Sequence, residues 1–393
     1  MRKQLRKPPV IYLIGTAGHP NYGDELIAAG WLHHLARTAP DAEVWLDTPR
    51  PGQSAVLLDG IHPGLRCVDT LFHACWNAPK DDPREAIAFG HRVIGEPGLL
   101  PREATAVEML ERIDLVHIIG GGYINGIWPH HLALVGAAHG IASRYGARTA
   151  MTGAGLTPLA EGSAESLGEI LAHFDVVDVR DEPSHAAIRR LVPHATNCGD
   201  DALLALDGGR VYGSEGAAAT MLCIQSDLVQ LPLPDLADYV VRTLQAWGVE
   251  HKPVTLVECL PPDDAAVMPL LQPHLPELRL LPFSQLWRSG FPARPGQRWL
   301  RTRFHAPLVS AAAGAWGVAI PVSEDYYRTK HDSLVRLGSG WELAHDLAAP
   351  VLAPSTTGAA GTAFGGRLPA LRATKRQVSD RVAGLVTSGR RRL

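Results

Sequence analysis

Short, almost wholly apolar runs alternate with helical stretches along the first half of the chain. Each run ends in a glycine-bearing or polar loop. The runs are Val10-Ile11-Tyr12-Leu13-Ile14-Gly15, Glu43-Val44-Trp45-Leu46, Asp114-Leu115-Val116-His117-Ile118-Ile119-Gly120, Arg148-Thr149-Ala150-Met151-Thr152-Gly153 and Phe174-Asp175-Val176-Val177-Asp178-Val179-Arg180-Asp181. Strands that are apolar on both faces are covered on both sides. Strands separated by helices are joined by crossovers, so the pattern predicts βαβ units and a parallel sheet. Helical period places helices from about Asp24 to Ala36, with Leu26, Ile27, Trp31 and Leu35 on the apolar side, and from about His130 to Tyr145. Residues 53–101 mix Pro, Gly, His and charges and give no pattern.

A second series of the same kind begins at Ala218, after a glycine-rich stretch from Gly208 to Gly216 that reads as a linker. Its strands are placed at residues 220–224, 253–258 and 318–322, with helices from Leu236 to Trp247 and from Pro307 to Trp316. At 393 residues the chain exceeds one ordinary core. The expected division is an N-terminal Rossmann-like domain at 1–207, a C-terminal one at 208–350, and a flexible linker with a basic tail at 351–393. The fold class is α/β, with two Rossmann-like domains facing a cleft.

Composition narrows the function classes. With 46% hydrophobic and 20% charged residues the chain is globular rather than disordered, and a net charge of −3 gives no global case for nucleic acid. The ends are basic: Arg2, Lys3, Arg6 and Lys7, then Arg372, Lys375, Arg376, Arg381 and Arg390-Arg391-Arg392. They read as solvated tails, with weak attraction to an anionic membrane face as the sharper alternative. No apolar run is long enough to span a bilayer. Cys67, Cys75, Cys198, Cys223 and Cys259 lie far apart and predict free thiols in a reducing cytoplasm, with no zinc site.

In open parallel sheets ligands bind beyond the carboxyl ends of the strands, so the loops there are the candidates. The first runs Gly15-Thr16-Ala17-Gly18-His19-Pro20-Asn21-Tyr22-Gly23-Asp24-Glu25. Its glycines would let backbone N–H groups approach a ligand at a helix N-terminus. The second is Gly120-Gly121-Gly122-Tyr123-Ile124-Asn125 with Trp128, whose aromatic rings could stack on a sugar. The third is Gly153-Ala154-Gly155-Leu156-Thr157-Pro158. The fourth is Val179-Arg180-Asp181-Glu182-Pro183-Ser184, where Arg180 ends a buried strand and would point at the cleft, with a structural salt bridge to Asp181 or Asp200 as the alternative.

In the second half, Arg303-Phe304-His305-Ala306 opens an apolar stretch, with Tyr327 and Lys330 downstream. A cation breaking into an apolar run implies an anion to meet it. Spaced two apart, Arg303 and His305 would leave one face of a strand or its exit, a forked positive charge beside a proton donor.

Together these motifs resemble the polysaccharide pyruvyl transferase family. Asn21-Tyr22-Gly23-Asp24-Glu25 resembles its Asn-x-Gly-Asp opening, and Gly120-Gly121-Gly122 and Gly153-Ala154-Gly155-Leu156-Thr157-Pro158 resemble its glycine turns. Val179-Arg180-Asp181 with Ser184, then Cys198-Gly199-Asp200-Asp201-Ala202, resemble its Arg-Asp-x-x-Ser and Asp segments. Arg303-Phe304-His305-Ala306, Gly317-Val318-Ala319-Ile320-Pro321 and Tyr327-x-x-Lys330 resemble the Arg-x-His, strand and Lys segments.

The resemblance implies a GT-B-like fold. It also implies transfer of pyruvyl from phosphoenolpyruvate to two hydroxyls of a glycan acceptor, in exopolysaccharide or cell-envelope glycan synthesis. That would be a cytoplasmic reaction needing no cofactor and no metal. In that reaction Arg180, Arg303 and Lys330 would hold the donor, His305 would be the general acid, and Asp24 or Asp200 the base. Gly18, Asn21, Gly23, Gly121, Gly122, Tyr123, Asn125, Trp128 and Gly155 would contact the acceptor or shape the loops. Two readings compete: a glycosyltransferase using a nucleotide sugar, with Glu258 on the ribose, and a non-catalytic glycan-binding protein.

Overall fold

The computed structural model describes residues 7–206, 211–213, 217–323, 332, 335–344, 347–353 and 359–388, with side chains from 364 to 386 in the last segment. They form two compact units. Unit 1 comprises residues 1–19, 24–205 and 373–393, and unit 2 comprises 20–23 and 206–372.

Unit 1 holds seven parallel strands: β1 (Val10–Ile14), β2 (Glu43–Asp47), β3 (Leu65–Val68), β4 (Leu115–Ile118), β5 (Arg148–Ala154), β6 (Val176–Val179) and β7 (Thr196–Asn197). Their order across the sheet is β3-β2-β1-β4-β5-β6-β7. Every residue of β1, β4 and β6 is buried, as central strands covered on both faces must be. On one face Tyr12, Ile14, Val116 and Ile118 pack with Phe72, Ile87, Val93, Leu134 and Ile141.

Unit 2 repeats the plan with β8 (Thr220–Cys223), β9 (Val254–Val257), β10 (Leu278–Leu281), β11 (Arg298–Arg301), β12 (Trp316–Ala319) and β13 (Glu342–Leu343). The order is β10-β9-β8-β11-β12-β13, again parallel. Both sheets therefore reverse direction of growth next to their first strand, at β1/β4 and at β8/β11. Such switch points open a crevice for ligands at the carboxyl ends of the strands.

The stretch at 53–101 resolves into β3 at the sheet edge and helices Thr70–Asn77 and Pro83–Gly95. The strand has only four residues and is partly exposed, so it leaves little apolar pattern in the sequence. Helix Pro83–Gly95 lies flat on helix Leu132–Tyr145. A Cβ added at Gly90 would overlap the Ala133 carbonyl, and one at Gly136 would overlap that of Ile87. Gly90→Val should therefore cost about 3 kcal/mol. Gly98→Ala, where nothing lies within 4 Å, should stay within about 0.5 kcal/mol. Denaturant unfolding of the two variants checks the contrast.

The chain end departs from expectation. Residues 351–393 are not simply a flexible linker and basic tail, because Ala359–Ser388 is one helix. Its residues from Ala373 onward belong to unit 1, and Lys375 is fully buried there while Arg376 and Arg381 remain exposed. Among the described residues no helix is long and apolar enough to cross a membrane.

Candidate functional site

In unit 1 the loop after β1 is fixed from beneath. Gly18 has a φ of +91° and donates its N–H to Glu25 Oε1 at 2.6 Å. A Cβ there would lie 2.5 Å from the Arg50 carbonyl oxygen, so the position demands glycine for both space and φ. Thr48 Oγ1 donates to the Ala17 carbonyl. Burial pushes the Glu25 carboxyl from 4.5 up to about 8, against the Gly18 N–H bond that favours the charged form.

The sign of the pH effect follows. The folded state keeps a proton that the unfolded chain releases above about 4.5, so stability falls as pH rises toward about 8 and is level beyond it. Asp47, raised by burial to about 7, adds the same sign over a lower window. Glu25→Gln should flatten the upper part of this decline and raise stability by roughly 2–4 kcal/mol above pH 8. Unfolding midpoints measured from pH 5 to 9 test it, and an unchanged slope would contradict it.

The glycine loops after β4 and β5 lie against each other. Gly121 N donates to Gly153 O at 3.4 Å and Gly155 N to Gly121 O at 2.8 Å. Gly121 has a φ of +147° and Gly153 of +53°. A Cβ on Gly155 would overlap the Arg180 guanidinium, so glycine there makes room for that side chain. Arg180 is buried, with Nη1 3.4 Å from Asp200 Oδ2 and Nε 3.5 Å from Asp181 Oδ2. Asp181 also caps helix Glu182–Ile188 by accepting from Ser184 N at 2.9 Å. Asp200 accepts in addition from Ala202 N at 2.9 Å. Asp24 is only half-buried, and its Oδ1 lies 3.9 Å from where a Gly121 Cβ would stand.

Two of the residues expected to contact the acceptor or shape the loops are engaged by the scaffold. Tyr123 is buried, and its hydroxyl lies against the carbonyls of Ile14 at 2.9 Å and Ile119 at 2.8 Å, so its ring is in the core and not presented to a sugar. Asn125 is fully buried; its amide donates to Gly122 O at 2.8 Å and its oxygen accepts from Ile127 N at 3.0 Å, which shapes the loop. Trp128 is half-buried and stacks on the His131 ring at 6.1 Å.

In unit 2, β11 ends at Arg301, so Arg303 lies in the strand exit and His305 begins helix His305–Ala312. The shared strand face expected of them does not form. Arg303 Nε donates to Asp264 Oδ1 at 2.7 Å, and its Nη2 pairs with Asp227. Asp264 is fully buried, and its Oδ2 accepts from Cys259 N at 2.9 Å and Leu260 N at 3.1 Å. Burial raises its pKa in spite of Arg303 and these amides. The expected anion for Arg303 is thus met in part by the chain's own carboxylates.

The Asn21-Tyr22-Gly23 segment belongs to this unit. Tyr22 is buried against Trp287 and Phe291 and donates its N–H to Cys259 O at 2.8 Å. Asn21 Oδ1 accepts from Gly23 N at 3.3 Å. A Cβ on Gly23 would overlap the His305 imidazole, which explains the glycine of this motif. Lys330 and Tyr327 lie outside the described residues. Glu258, the ribose candidate of the competing reading, is buried and accepts from Phe283 N at 3.0 Å.

Sequence reasoning missed Arg301, Asp227, Asp264, Glu25 and Lys375. Arg301 is fully buried, its guanidinium carbon 3.3 Å from the Trp299 ring centroid, and burial lowers it to about 9. Only the polar break in an apolar strand could have flagged it.

Among the described residues, two clusters bring three metal-ligand atoms within 4.8 Å of one another: Cys75 with His130 and His131, and Cys223 with Cys259 and Asp264. Both are already engaged by the protein. Cys75 Sγ donates to His130 O at 3.4 Å and His131 Nδ1 to Tyr123 O at 3.0 Å, while the Asp264 carboxylate serves Arg303 and two amides.

The family model for polysaccharide pyruvyl transferase matches residues 21–245. That span contains Asn21 to Asp24, the two glycine loops after β4 and β5, the Arg180 loop and Asp200, and it ends before Arg303. No curated protein matches the chain. Among solved structures, a UDP-glucosyltransferase from Polygonum tinctorium is 11% identical with a TM-score of 0.52, over 97% of this chain and 99% of that one. A UDP-N-acetylglucosamine 2-epimerase is 12% identical with a TM-score of 0.52, over 96% and 95%. The Neisseria meningitidis UDP-GlcNAc 2-epimerase bound to UDP-GlcNAc is 10% identical with a TM-score of 0.50, over 96% and 94%. At such identities the likeness is one of fold, and it identifies the architecture as GT-B. The family match takes in more than half of the chain, so the protein is a member of the polysaccharide pyruvyl transferase family.

Proposed function

We propose that the protein transfers the pyruvyl group of phosphoenolpyruvate onto two hydroxyls of a sugar in a polysaccharide or its precursor, releasing phosphate and leaving a cyclic ketal. The observation that carries this reading is in unit 2. At the β8/β11 switch point a guanidinium fork, Arg303, is braced by two carboxylates two residues ahead of the imidazole of His305. Bracing fixes the fork's direction, and a planar guanidinium is the group suited to a carboxylate or phosphate. Arg180 is the second donor cation in this reading.

Chemically, the vinyl CH₂ of the donor must gain a proton as a sugar oxygen attacks C2. His305 supplies that proton, and a carboxylate takes the hydroxyl proton. Asp24 and Asp200 are the candidates for that base: Asp24 is half-buried beside the Gly121 loop, and Asp200 also accepts from Arg180 and Ala202 N. The second hydroxyl then closes the ring as the C2–O bond to phosphate breaks, and its proton leaves with phosphate. In the nucleotide-sugar reading the ribose acid would be Glu258, which is buried and accepts from Phe283 N through Oε2.

The test is incubation of the protein with phosphoenolpyruvate and a panel of glycans, reading phosphate release and the mass of the glycan. Consumption of a UDP-sugar with no phosphate release from phosphoenolpyruvate would overturn the proposal.

A further inference from the structure

The buried charge of unit 1 sits beneath the glycine loops. Lys375 Nζ is 2.6 Å from Asp178 Oδ2 and 2.9 Å from Asp201 Oδ1, and all three side chains are 0% exposed. Each carboxylate spends its remaining acceptor capacity on a loop. Asp201 Oδ2 accepts from Gly120 N at 3.0 Å, Thr152 Oγ1 at 2.6 Å and Trp31 Nε1 at 2.7 Å. Asp178 Oδ2 accepts from Gly153 N at 3.3 Å, and its Oδ1 from Cys198 N at 2.8 Å and Thr196 Oγ1 at 2.9 Å. A Cβ on Gly120 would come 2.8 Å from Asp201 Cβ, and one on Gly153 would overlap Asp201 Oδ1, so both glycines are shaped to this carboxylate.

Thr152, Trp31 and His117 border the triad. His117, fully buried, has its pKa lowered to about 3 by that burial; its Nε2 is 2.9 Å from Thr152 Oγ1. Burial alone would raise Asp201, but the ammonium and the bonds from Thr152 and Trp31 outweigh it and hold the carboxylate charged. A buried ion cluster is weak evidence for stability, since apolar groups of equal volume often do as well. What apolar groups cannot do is accept hydrogen bonds from the backbone amides of the Gly120 loop, the end of β5 and the Cys198 segment.

We propose that Lys375 is a positioning residue: its ammonium holds Asp178 and Asp201 in the charged, fixed state that sets the Gly120–Gly122 and Gly153–Gly155 loops and the Cys198–Asp200 segment for substrate. The inference rests on the pyruvyl-transfer reading for which substrate the loops serve, and on the hydrogen bonds alone for the loops themselves. Lys375 acts through the two carboxylates and touches no substrate.

The decisive variant is Lys375→Met, close in volume and without charge. Amide hydrogen exchange should rise about tenfold or more in the two glycine loops relative to β1 and β2. The KM for phosphoenolpyruvate or acceptor should rise several-fold more than kcat falls. Loops that exchange as in the parent protein, or exchange that rises equally through β1 and β2, would overturn the proposal, because the lysine would then be inert or a general clasp. Should Lys375→Met fail to fold, Asp178→Asn removes one arm of the triad, and selective exchange at Gly153–Gly155 is the same readout. The exchange measurement needs no substrate. A failure of pyruvyl transfer itself would therefore appear as absent phosphate release in the parent protein, with the exchange result intact.

Discussion

His305→Ala is expected to lower turnover about 10²–10⁴-fold while the protein still folds, the usual range for loss of a positioned proton donor. The fold should survive because the change strands no buried carboxylate. Asp227 and Asp264 keep Arg303, and alanine is a better helix residue than histidine at the start of His305–Ala312. The Phe304 ring, in edge contact with the imidazole at 5.2 Å, loses one neighbour only. A companion variant, Gly23→Ala, removes no titratable group. Its methyl would take the space of the imidazole and displace it, so a similar loss is expected from geometry alone. Phosphate release with phosphoenolpyruvate and acceptor, set beside thermal unfolding of each variant, separates chemistry from folding. Near-normal release by His305→Ala would remove the general-acid role.

How much of this was legible beforehand depends on where each residue sits. The strands β1, β4, β5, β6, β8 and β9 announce themselves because they are central and apolar on both faces. The edge strand β3 does not, since half-exposed Leu65, Cys67 and Val68 make no run. Glycines carried real information: Gly18, Gly23, Gly155 and Gly153 are each required by an identifiable neighbour, respectively Arg50 O, His305, Arg180 and Asp201. Aromatic residues misled. A Tyr or Trp after a glycine loop has no sequence mark that separates a sugar platform from a core ring, and Tyr123 is a core ring. The charged partners were the least visible. Asp264 lies 39 residues from Arg303 and Lys375 lies 197 from Asp178, so only the fold brings them together. Lys375 sat in a basic stretch where solvated charge is the ordinary reading, and its burial follows from the helix that carries it into unit 1.

Arg180→Met should cost roughly 3–5 kcal/mol of stability, because the variant leaves Asp181 and Asp200 buried without their cation. Asp181 retains its cap to Ser184 N and Asp200 its bond from Ala202 N, so what the variant removes is the cation. Arg180→Lys keeps the charge but loses the fork that lies over Gly155, so it should recover much of the stability and little of the activity. Unfolding of the three proteins, together with the phosphoenolpyruvate concentration needed for half-maximal rate, resolves the two roles. If Arg180→Lys matches the parent in both, the guanidinium is only a counter-ion to Asp181 and Asp200, and the donor must find its second cation elsewhere.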